Sequence, residues 1–253
     1  MMNIKSKNEE FTLFNQLSDE WWNENGKFKI LHQIKSHRMS YILDQVNNRN
    51  IRNLKILDVG CGGGIICEPL ARLGAKVTGI DFAPNNIIAA KIHSKKNKLK
   101  INYINKDIEK SKLDEKFDII LMFEVLEHLD NFIGAMEEIH RISLPGCLVK
   151  ISVPYWNSSF AYIDPTHKRG FHELTFSFFD PDSEYCKERP YYTKARFKIK
   201  SFAYVIAPFS PYISIPFIKE IEIRNKILKK IVGLLGNIFS NIILDLRLEL
   251  ERV

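Results

Sequence analysis

The spacing of apolar residues changes several times along this chain. Phe11, Phe14, Leu17, Trp21 and Trp22 recur at helical spacing until Gly26 interrupts them. Ile30, Ile34, Tyr41, Ile42 and Val46 repeat the same period, so two helices are expected before any strand. From Lys55 onward, short apolar runs alternate with helical stretches. Lys55 to Val59 reads as a first strand, followed by a glycine-rich turn and a helix from Ile65 to Leu73 that ends at Gly74. Lys76 to Ile80 is a second strand, and Pro84 suits the start of a helix reaching about Lys95. Ile101 to Ile104 and Phe117 to Phe123 are the third and fourth strands. Asp130 to Ile142 is a helix stopped by Pro145-Gly146, and Leu148 to Val153 is the fifth strand. Strands alternating with helices imply an α/β fold, a parallel sheet covered on both faces.

After Pro154 the pattern changes. Tyr155 to Pro190 is rich in aromatics, Asp, Ser and Pro and reads as an irregular insertion. Lys200 to Ile206 looks like a strand. Ile227, Leu228, Ile231, Val232, Leu235, Ile238 and Phe239 form an apolar helical stripe with Lys226, Lys229 and Lys230 beside it. From Ile243 to Leu250, leucines alternate with charged residues, as in a half-exposed edge strand. The organisation expected is an N-terminal helical cap over residues 1–50 and one domain over 51–253. That domain carries an insertion at about 154–198 and closes with an amphipathic helix and an edge strand.

Composition narrows the function classes. Charged residues make up 26% of the 253 residues and the formal net charge is +7, but the basic residues are scattered among acids. A nucleic-acid partner is therefore not expected, whereas mild attraction to anionic surfaces is. No run of 18 apolar residues occurs and the first ten residues are polar, so neither a spanning helix nor a signal peptide is expected. Cys61, Cys67, Cys147 and Cys186 have no zinc-type spacing, which suits reduced thiols in a cytoplasmic protein. No oligomeric state is implied.

The candidate chemistry sits at the strand ends. Asp58-Val59-Gly60-Cys61-Gly62-Gly63-Gly64 follows a strand and precedes a helix. Glycines there allow a tight turn and close approach of a ligand, and the helix start offers oriented N–H groups. A dinucleotide fingerprint needs glycine at positions 60, 62 and 65. Position 65 is Ile, and the third glycine is Gly64. Asp81 ends the second strand, where a carboxylate can accept two ribose hydroxyls. Asp107 follows the third strand, where an acid can face an adenine amine. The fourth strand runs into Phe123-Glu124-Val125-Leu126-Glu127-His128, beside the crevice expected at the carboxyl ends of strands.

In this order and on these elements, Lys55 to Val153 resembles the class I S-adenosylmethionine-dependent methyltransferases. The resemblance implies a Rossmann-like, seven-stranded, mostly parallel sheet with one antiparallel strand, which Ile243 to Leu250 would supply. It also implies that the glycine loop, Asp58 with Gly60, Gly62 and Gly64, holds the methionine end of the cofactor and that Asp81 holds its ribose. Phe14 to Trp22, Gly26 to Ile34, Arg38, Asp58 to Ile65 and Val77 to Asp81 are more specifically similar to the O-methyltransferases of ubiquinone biosynthesis. That similarity implies cofactor contacts from Arg38, Gly60, Asp81 and Phe123. An Arg suits the cofactor's carboxylate.

Glu124, Glu127 and His128 match the same family's E-x-x-E-H, associated with a divalent metal such as Mg2+. On a helix this spacing sets all three on one face. The other reading is a cofactor-side Glu124 with a capping cluster. The segment Asp164-Pro165-Thr166-His167-Lys168-Arg169 departs from the ubiquinone pattern. It resembles other class I methyltransferases, some associated with surface-glycan or lipid pathways.

The function expected is O-methylation of a hydroxylated small or lipid-linked molecule. A quinone-precursor (polyprenyl catechol) enzyme proper and a glycan- or lipid-pathway enzyme are the alternatives. His128 and His167 are the candidate bases, with a structural His167 bonded to Asp164 as the other reading. Tyr155, Trp156, Phe160 and Phe171 either line an acceptor site or pack the insertion. The basic stretch Ile218 to Phe239 either covers the sheet, pocket or a dimer face, or lies peripherally on the inner face of a membrane. A non-catalytic cofactor-binding protein is the rival from another class. A nicotinamide oxidoreductase is disfavoured by the glycine spacing and by Asp58.

Overall fold

The structure, a computed structural model, describes residues 21–44, 50–206 and 221–253. Phe11, Phe14, Leu17, Val46 and the Ile218 end of the basic stretch lie outside the described residues. The chain divides into two compact units, Met1–Leu121 with Arg141–Cys147 and Met122–His140 with Leu148–Val253.

In the first unit, helix α1 (Lys29–Leu43) buries Tyr41 and Ile42. Strand β1 (Lys55–Val59) leads through the glycine turn to helix α2 (Cys67–Arg72). Gly74 ends that helix region with φ 93°, a left-handed conformation that a side chain would strain. Strand β2 (Lys76–Asp81) is followed by α3 (Pro84–Lys96), whose Pro84 occupies the first turn, where no N–H is needed. Strand β3 (Asn102–Asn105) follows. β1 runs parallel to β2 from Lys55↔Lys76 to Val59↔Ile80, and β2 runs parallel to β3. The amides of Gly60 and Cys61 both donate to the Ile80 carbonyl, at 2.8 and 3.1 Å, so the glycine loop is pinned to the carboxyl end of β2.

Strand β4 (Phe117–Phe123), helix α4 (Phe132–Ile142) and strand β5 (Ser143–Pro154) come next. Pro145 and Gly146 lie within β5, so the strand begins five residues earlier than the apolar run Leu148 to Val153 implied. The insertion holds short helices α5 (Phe160–Ile163) and α6 (Glu184–Glu188) and a 3-10 segment, Glu173–Phe178. Strands β6 (Phe197–Ile206) and β7 (Ile221–Ile223), helix α7 (Lys226–Ile238) and strand β8 (Asp245–Arg252) complete the described chain.

The sheet order is β3-β2-β1-β4-β5-β8-β6-β7. This is the Rossmann-like methyltransferase arrangement, mostly parallel and flanked by helices, with eight strands rather than seven.

The second unit corrects the reading of the C-terminal strand. β8 is not an edge: it pairs antiparallel with β5 on one side and β6 on the other. Its alternating charges are buried by pairing. Lys150 Nζ lies 2.6 Å from Glu249 Oε2, with side chains 0% and 1% exposed, and Arg247 binds Glu222 of β7. A buried charge is tolerated only with such a partner. Edge positions belong to β3 and the short β7 instead.

Helix α7 starts at Asn225, whose side chain accepts from the amides of Ile227 and Leu228. Its buried residues are Gly233 and Gly236, packed against Tyr204 and Ile243. The apolar stripe is therefore turned outward, with Ile227 71% and Leu234 63% exposed. Of the three lysines beside it, Lys229 points back, donating to the Phe202 carbonyl and lying 3.7 Å from the Phe202 ring centroid.

Candidate functional site

The first unit gathers the residues around the glycine loop. Gly60, Gly62 and Gly64 have φ of 70°, 52° and 86°. Three left-handed residues in five require glycine and turn the loop amides away from the strand direction. A Cβ on Gly62 would lie 2.4 Å from the Trp21 ring, and one on Gly64 would lie 2.3 Å from the Tyr103 hydroxyl. Asp81, at the end of β2, accepts from Gly62 N through Oδ2 at 2.9 Å and from Ala83 N through Oδ1 at 2.9 Å. Asn86 adds a third donor at 3.3 Å. A carboxylate has about four acceptor sites, so capacity remains for a ligand hydroxyl. Burial raises its pKa, opposed by these hydrogen bonds.

Asp58 is buried at the end of β1 and its pKa is pushed up to about 6, chiefly by desolvation. The Cys67 thiol donates to it at 3.2 Å and the Arg38 charge from α1 opposes the rise. Asp58, Gly60, Gly62, Gly64, Asp81 and Arg38 thus belong to one neighbourhood. Asp107 follows Lys106, whose amide donates to the Asp81 carbonyl at 3.1 Å, and its side chain caps the 3-10 turn Ile108–Lys110 by accepting from Glu109 N at 3.1 Å.

Spacing gave no sign of how the tryptophans serve this loop. Trp21 stacks on Phe28 with centroids 3.9 Å apart and donates to Asn86 at 2.8 Å. Trp22 donates to the Gly63 carbonyl at 2.9 Å and stacks on His93. The segment before α1 therefore packs directly on the glycine loop. Trp21 and Trp22 form a turn here rather than a helix, and their indole N–H groups are the signal that could have marked them as tied to buried acceptors.

The second unit gathers a different group. Phe123 is buried at the end of β4. Glu124 follows with φ 56°, a left-handed residue that turns the chain, and its Oε1 accepts from Ser152 Oγ at 2.8 Å. Leu126–His128 is a single 3-10 turn. The E-x-x-E-H residues are consequently not on one helical face, because the left-handed Glu124 breaks the helical path. His167, from the insertion, takes Glu124's place in the cluster. One ligand-capable atom each from Glu127, His128 and His167 lies within 4.8 Å of the others.

Glu127 is 0% exposed and its carboxyl shares a hydrogen bond with the Glu124 side chain. Its pKa is driven well up by burial and then by the neighbouring Glu124 charge. The His128 ring meets the His167 ring edge-on at 4.7 Å. Burial, then the neighbouring His167, lowers His128 to about 4, which keeps it a neutral imidazole. His167 Nδ1 is buried without a hydrogen-bond partner.

The Asp164-to-Arg169 block is clasped onto the Glu127 turn. Lys168 N donates to the Glu127 carbonyl at 2.7 Å, and Arg169 donates to the carbonyls of Leu129 and Asp130. Asp164 accepts from the amide and hydroxyl of Thr166, at 2.8 and 2.7 Å. The loop-tying role considered for the His167 side chain thus falls to Thr166. Thr166 Oγ1 is also 3.0 Å from His128 Nδ1, a contact between segments 38 residues apart that no local pattern reveals.

Among the aromatics, Phe171 belongs to the core, where Phe132 packs edge-on against Phe171, Phe176 and Phe179. Tyr155 is equally buried, while Phe160 is exposed.

The comparisons with known proteins bear on the fold and the family. A methyltransferase-domain family profile matches residues 57–150. The ubiquinone biosynthesis O-methyltransferase of Pelagibacter ubique (strain HTCC1062) is 44% identical over 130 residues, 48% of this chain and 54% of that protein. The protein of the same name from Bradyrhizobium sp. (strain ORS 278) is 37% identical over 190 residues, 68% of this chain and 75% of that protein. The chain spans about half the length of most of the curated relatives it matches. Among solved structures, the N-methyltransferase NodS from Bradyrhizobium japonicum WM9, in complex with S-adenosyl-L-homocysteine, superposes with a TM-score of 0.61. Identity is 15% over 96% of this chain and 97% of that one. Magnesium protoporphyrin IX methyltransferase from Synechocystis PCC 6803, with bound S-adenosylmethionine, gives 0.54 at 15% identity over 87% and 79%. At such identities the two structures speak for the fold alone. The identity to the Bradyrhizobium relative across three quarters of its length goes further: this chain belongs to the class I S-adenosylmethionine-dependent methyltransferase family.

Proposed function

We propose that the protein transfers the methyl group of S-adenosylmethionine to a hydroxyl of a small or lipid-linked acceptor. The observation that carries this reading is the loop of three left-handed glycines bonded to Asp81. The cofactor's amino-acid end is a zwitterion, and the neighbouring charges of Arg38 and Asp58 complement its carboxylate and ammonium. Asp81 would take the ribose and Asp107 the adenine amine; the family resemblance assigns Phe123 to the same ligand, and Glu124 would be a cofactor-side carboxylate. Among the described residues before β1, the turn at Trp21 and Trp22 and helix α1 would serve as a cap on this side, a reading supported by the two tryptophans on the loop.

In the reaction the bond from methyl carbon to sulfonium sulfur breaks as the bond to the acceptor oxygen forms. The products are S-adenosylhomocysteine, a methyl ether and a proton. The cofactor carries the reactive carbon; the protein aligns it and helps remove the proton. We assign that help to the group formed by Glu127, His128 and His167. The Mg2+ suggested by E-x-x-E-H fits these residues poorly. Mg2+ takes oxygen ligands, whereas two of the three converging donors are imidazoles and Glu124 is bonded to Ser152.

The names of the relatives favour a prenylated catechol as the first acceptor to test, and the Asp164-to-Arg169 block favours adding glycan and lipid fractions. The outward apolar face of α7, with exposed Lys226 and Lys230, supports a peripheral place on an anionic membrane. No helix among the described residues is long and apolar enough to cross one.

Transfer from methyl-labelled cofactor tests the reaction. Label in an alkali-stable methyl ether, lost in Asp81→Ala, is the expected result. Tight S-adenosylhomocysteine binding with no product from any acceptor fraction would make the protein a non-catalytic binder.

A further inference from the structure

We infer that Trp21 and Asn86 are positioning residues for ribose recognition: the Trp21 indole sets the Asn86 amide, and that amide holds the Asp81 carboxylate with Oδ2 toward the cofactor's ribose. The inference deepens the proposed function and rests on its assignment of the ribose to Asp81.

Donor and acceptor chemistry fixes the direction of this chain of bonds. An indole N–H only donates, so the Asn86 atom 2.8 Å from Trp21 Nε1 is the carbonyl oxygen. The amide nitrogen is thereby turned to Asp81 Oδ1, at 3.3 Å. With the amide reversed, two donors would face each other at Trp21 and two acceptors at Asp81. Trp21, Asn86 and Asp81 are all buried, so water competes little for these bonds.

The Asp81 carboxylate has about four acceptor sites. Oδ1 takes the Ala83 backbone amide at 2.9 Å and the Asn86 side chain, while Oδ2 takes the Gly62 amide at 2.9 Å. The remaining site is on Oδ2. One ribose hydroxyl therefore fits, rather than the two that strand-end position alone suggests. The Asn86 bond fills the second site of Oδ1 and so decides which oxygen meets the ligand.

Trp21 is itself held from several sides. Its ring stacks on Phe28, with planes 4° apart. A Cβ on Gly62 or Gly63 would come within 2.4 or 2.6 Å of it. Its carbonyl accepts from His32 Nε2 of α1 at 2.8 Å. Packing of this kind needs an aromatic ring but not an indole N–H, and a phenylalanine would serve it as well. The N–H aimed at Asn86 is what packing leaves unexplained. A carboxylate oriented before the ligand arrives spares the cost of ordering it on binding.

The test measures binding to the whole chain by calorimetry. The ligands are S-adenosylhomocysteine and its two analogues that each lack one ribose hydroxyl. The wild type should lose at least about tenfold in affinity for one of the analogues. Trp21→Phe keeps a stacking ring without the N–H, and Asn86→Leu keeps similar volume without the amide. Each should bind S-adenosylhomocysteine about tenfold more weakly, while affinity for that analogue changes by less than about threefold. The double variant should be no weaker than the single ones, because both break one chain of bonds. Equal losses for all three ligands, or a hydroxyl preference kept in both variants, would overturn the inference and leave Trp21 a packing residue. The wild type gives a second reading should a variant fail to fold. The chain has three tryptophans, and the Trp21 indole resonance is assigned by its Overhauser contacts to the Phe28 ring. It should shift further with S-adenosylhomocysteine than with that analogue, and equal shifts would overturn the inference. Wild-type indifference to both hydroxyls would sink the ribose assignment and this inference with it. A preference kept in the variants would sink this inference alone.

Discussion

At the scale of single residues, Asp58 is the most informative group. Its carboxyl is pushed up to about 6 because it is buried, with the Cys67 thiol and the Arg38 charge restraining the shift. An unfolded Asp ionises near 4. The sign follows from linkage. Since the folded pKa lies above the unfolded one, the ligand-free fold loses stability as pH rises from about 4 to about 6, by up to roughly 3 kcal/mol from this group. A ligand ammonium pairs with the ionised form, so affinity moves the other way. Calorimetry should find S-adenosylhomocysteine binding about tenfold tighter at pH 7.5 than at pH 5. Asp58→Asn should bind weakly with a flat profile. An unchanged pH profile in that variant would mean that Asp58 does not meet the ammonium. Gly60, Gly62, Gly64 and Asp81 were legible in the sequence because backbone conformation and strand-end position dictate them. Trp21, Asn86 and Thr166 were not, since their partners lie 65 and 38 residues away and only folding makes them neighbours.

At the scale of elements, strands bounded by glycine, proline or polar residues were read almost to the residue. β1, β2 and β4 are examples, because short apolar runs buried on both faces leave little choice. Two elements misled. β8 looks like an edge because its charges alternate with leucines, yet Lys150 and Glu222 reach Glu249 and Arg247 and make burial possible. The helical-face reading of E-x-x-E-H failed at Glu124, whose left-handed backbone is invisible in a spacing argument. Helix α7 makes the opposite point. Its periodicity was plain, but Gly233 and Gly236 form the packed side and the apolar stripe faces out. Flotation with anionic vesicles at low salt should carry the protein upward. Ile231→Glu with Leu234→Glu should leave it at the bottom of the gradient. A wild-type protein that never floats would remove the membrane from this account.

At the scale of the molecule, the doubly wound half and the divergent half have different standing. Lys55 to Val153 follows the family pattern in order, and the fold and the family follow from it. The segment from Tyr155 to Arg169 carries the chain's own character. It brings His167 to the Glu127 turn, where the residues of two motifs from different parts of the chain meet. That meeting is a tertiary event and could not be read from either motif alone.

The claim on which everything else depends is that the glycine loop and Asp81 hold the cofactor. Titration of the wild-type protein with S-adenosylhomocysteine, beside Gly60→Arg and Asp81→Ala, tests it most directly. The account predicts one ligand per wild-type chain and no measurable binding by either variant, with both retaining the wild-type far-ultraviolet spectrum and a cooperative melt. Wild-type affinity in both variants would contradict it.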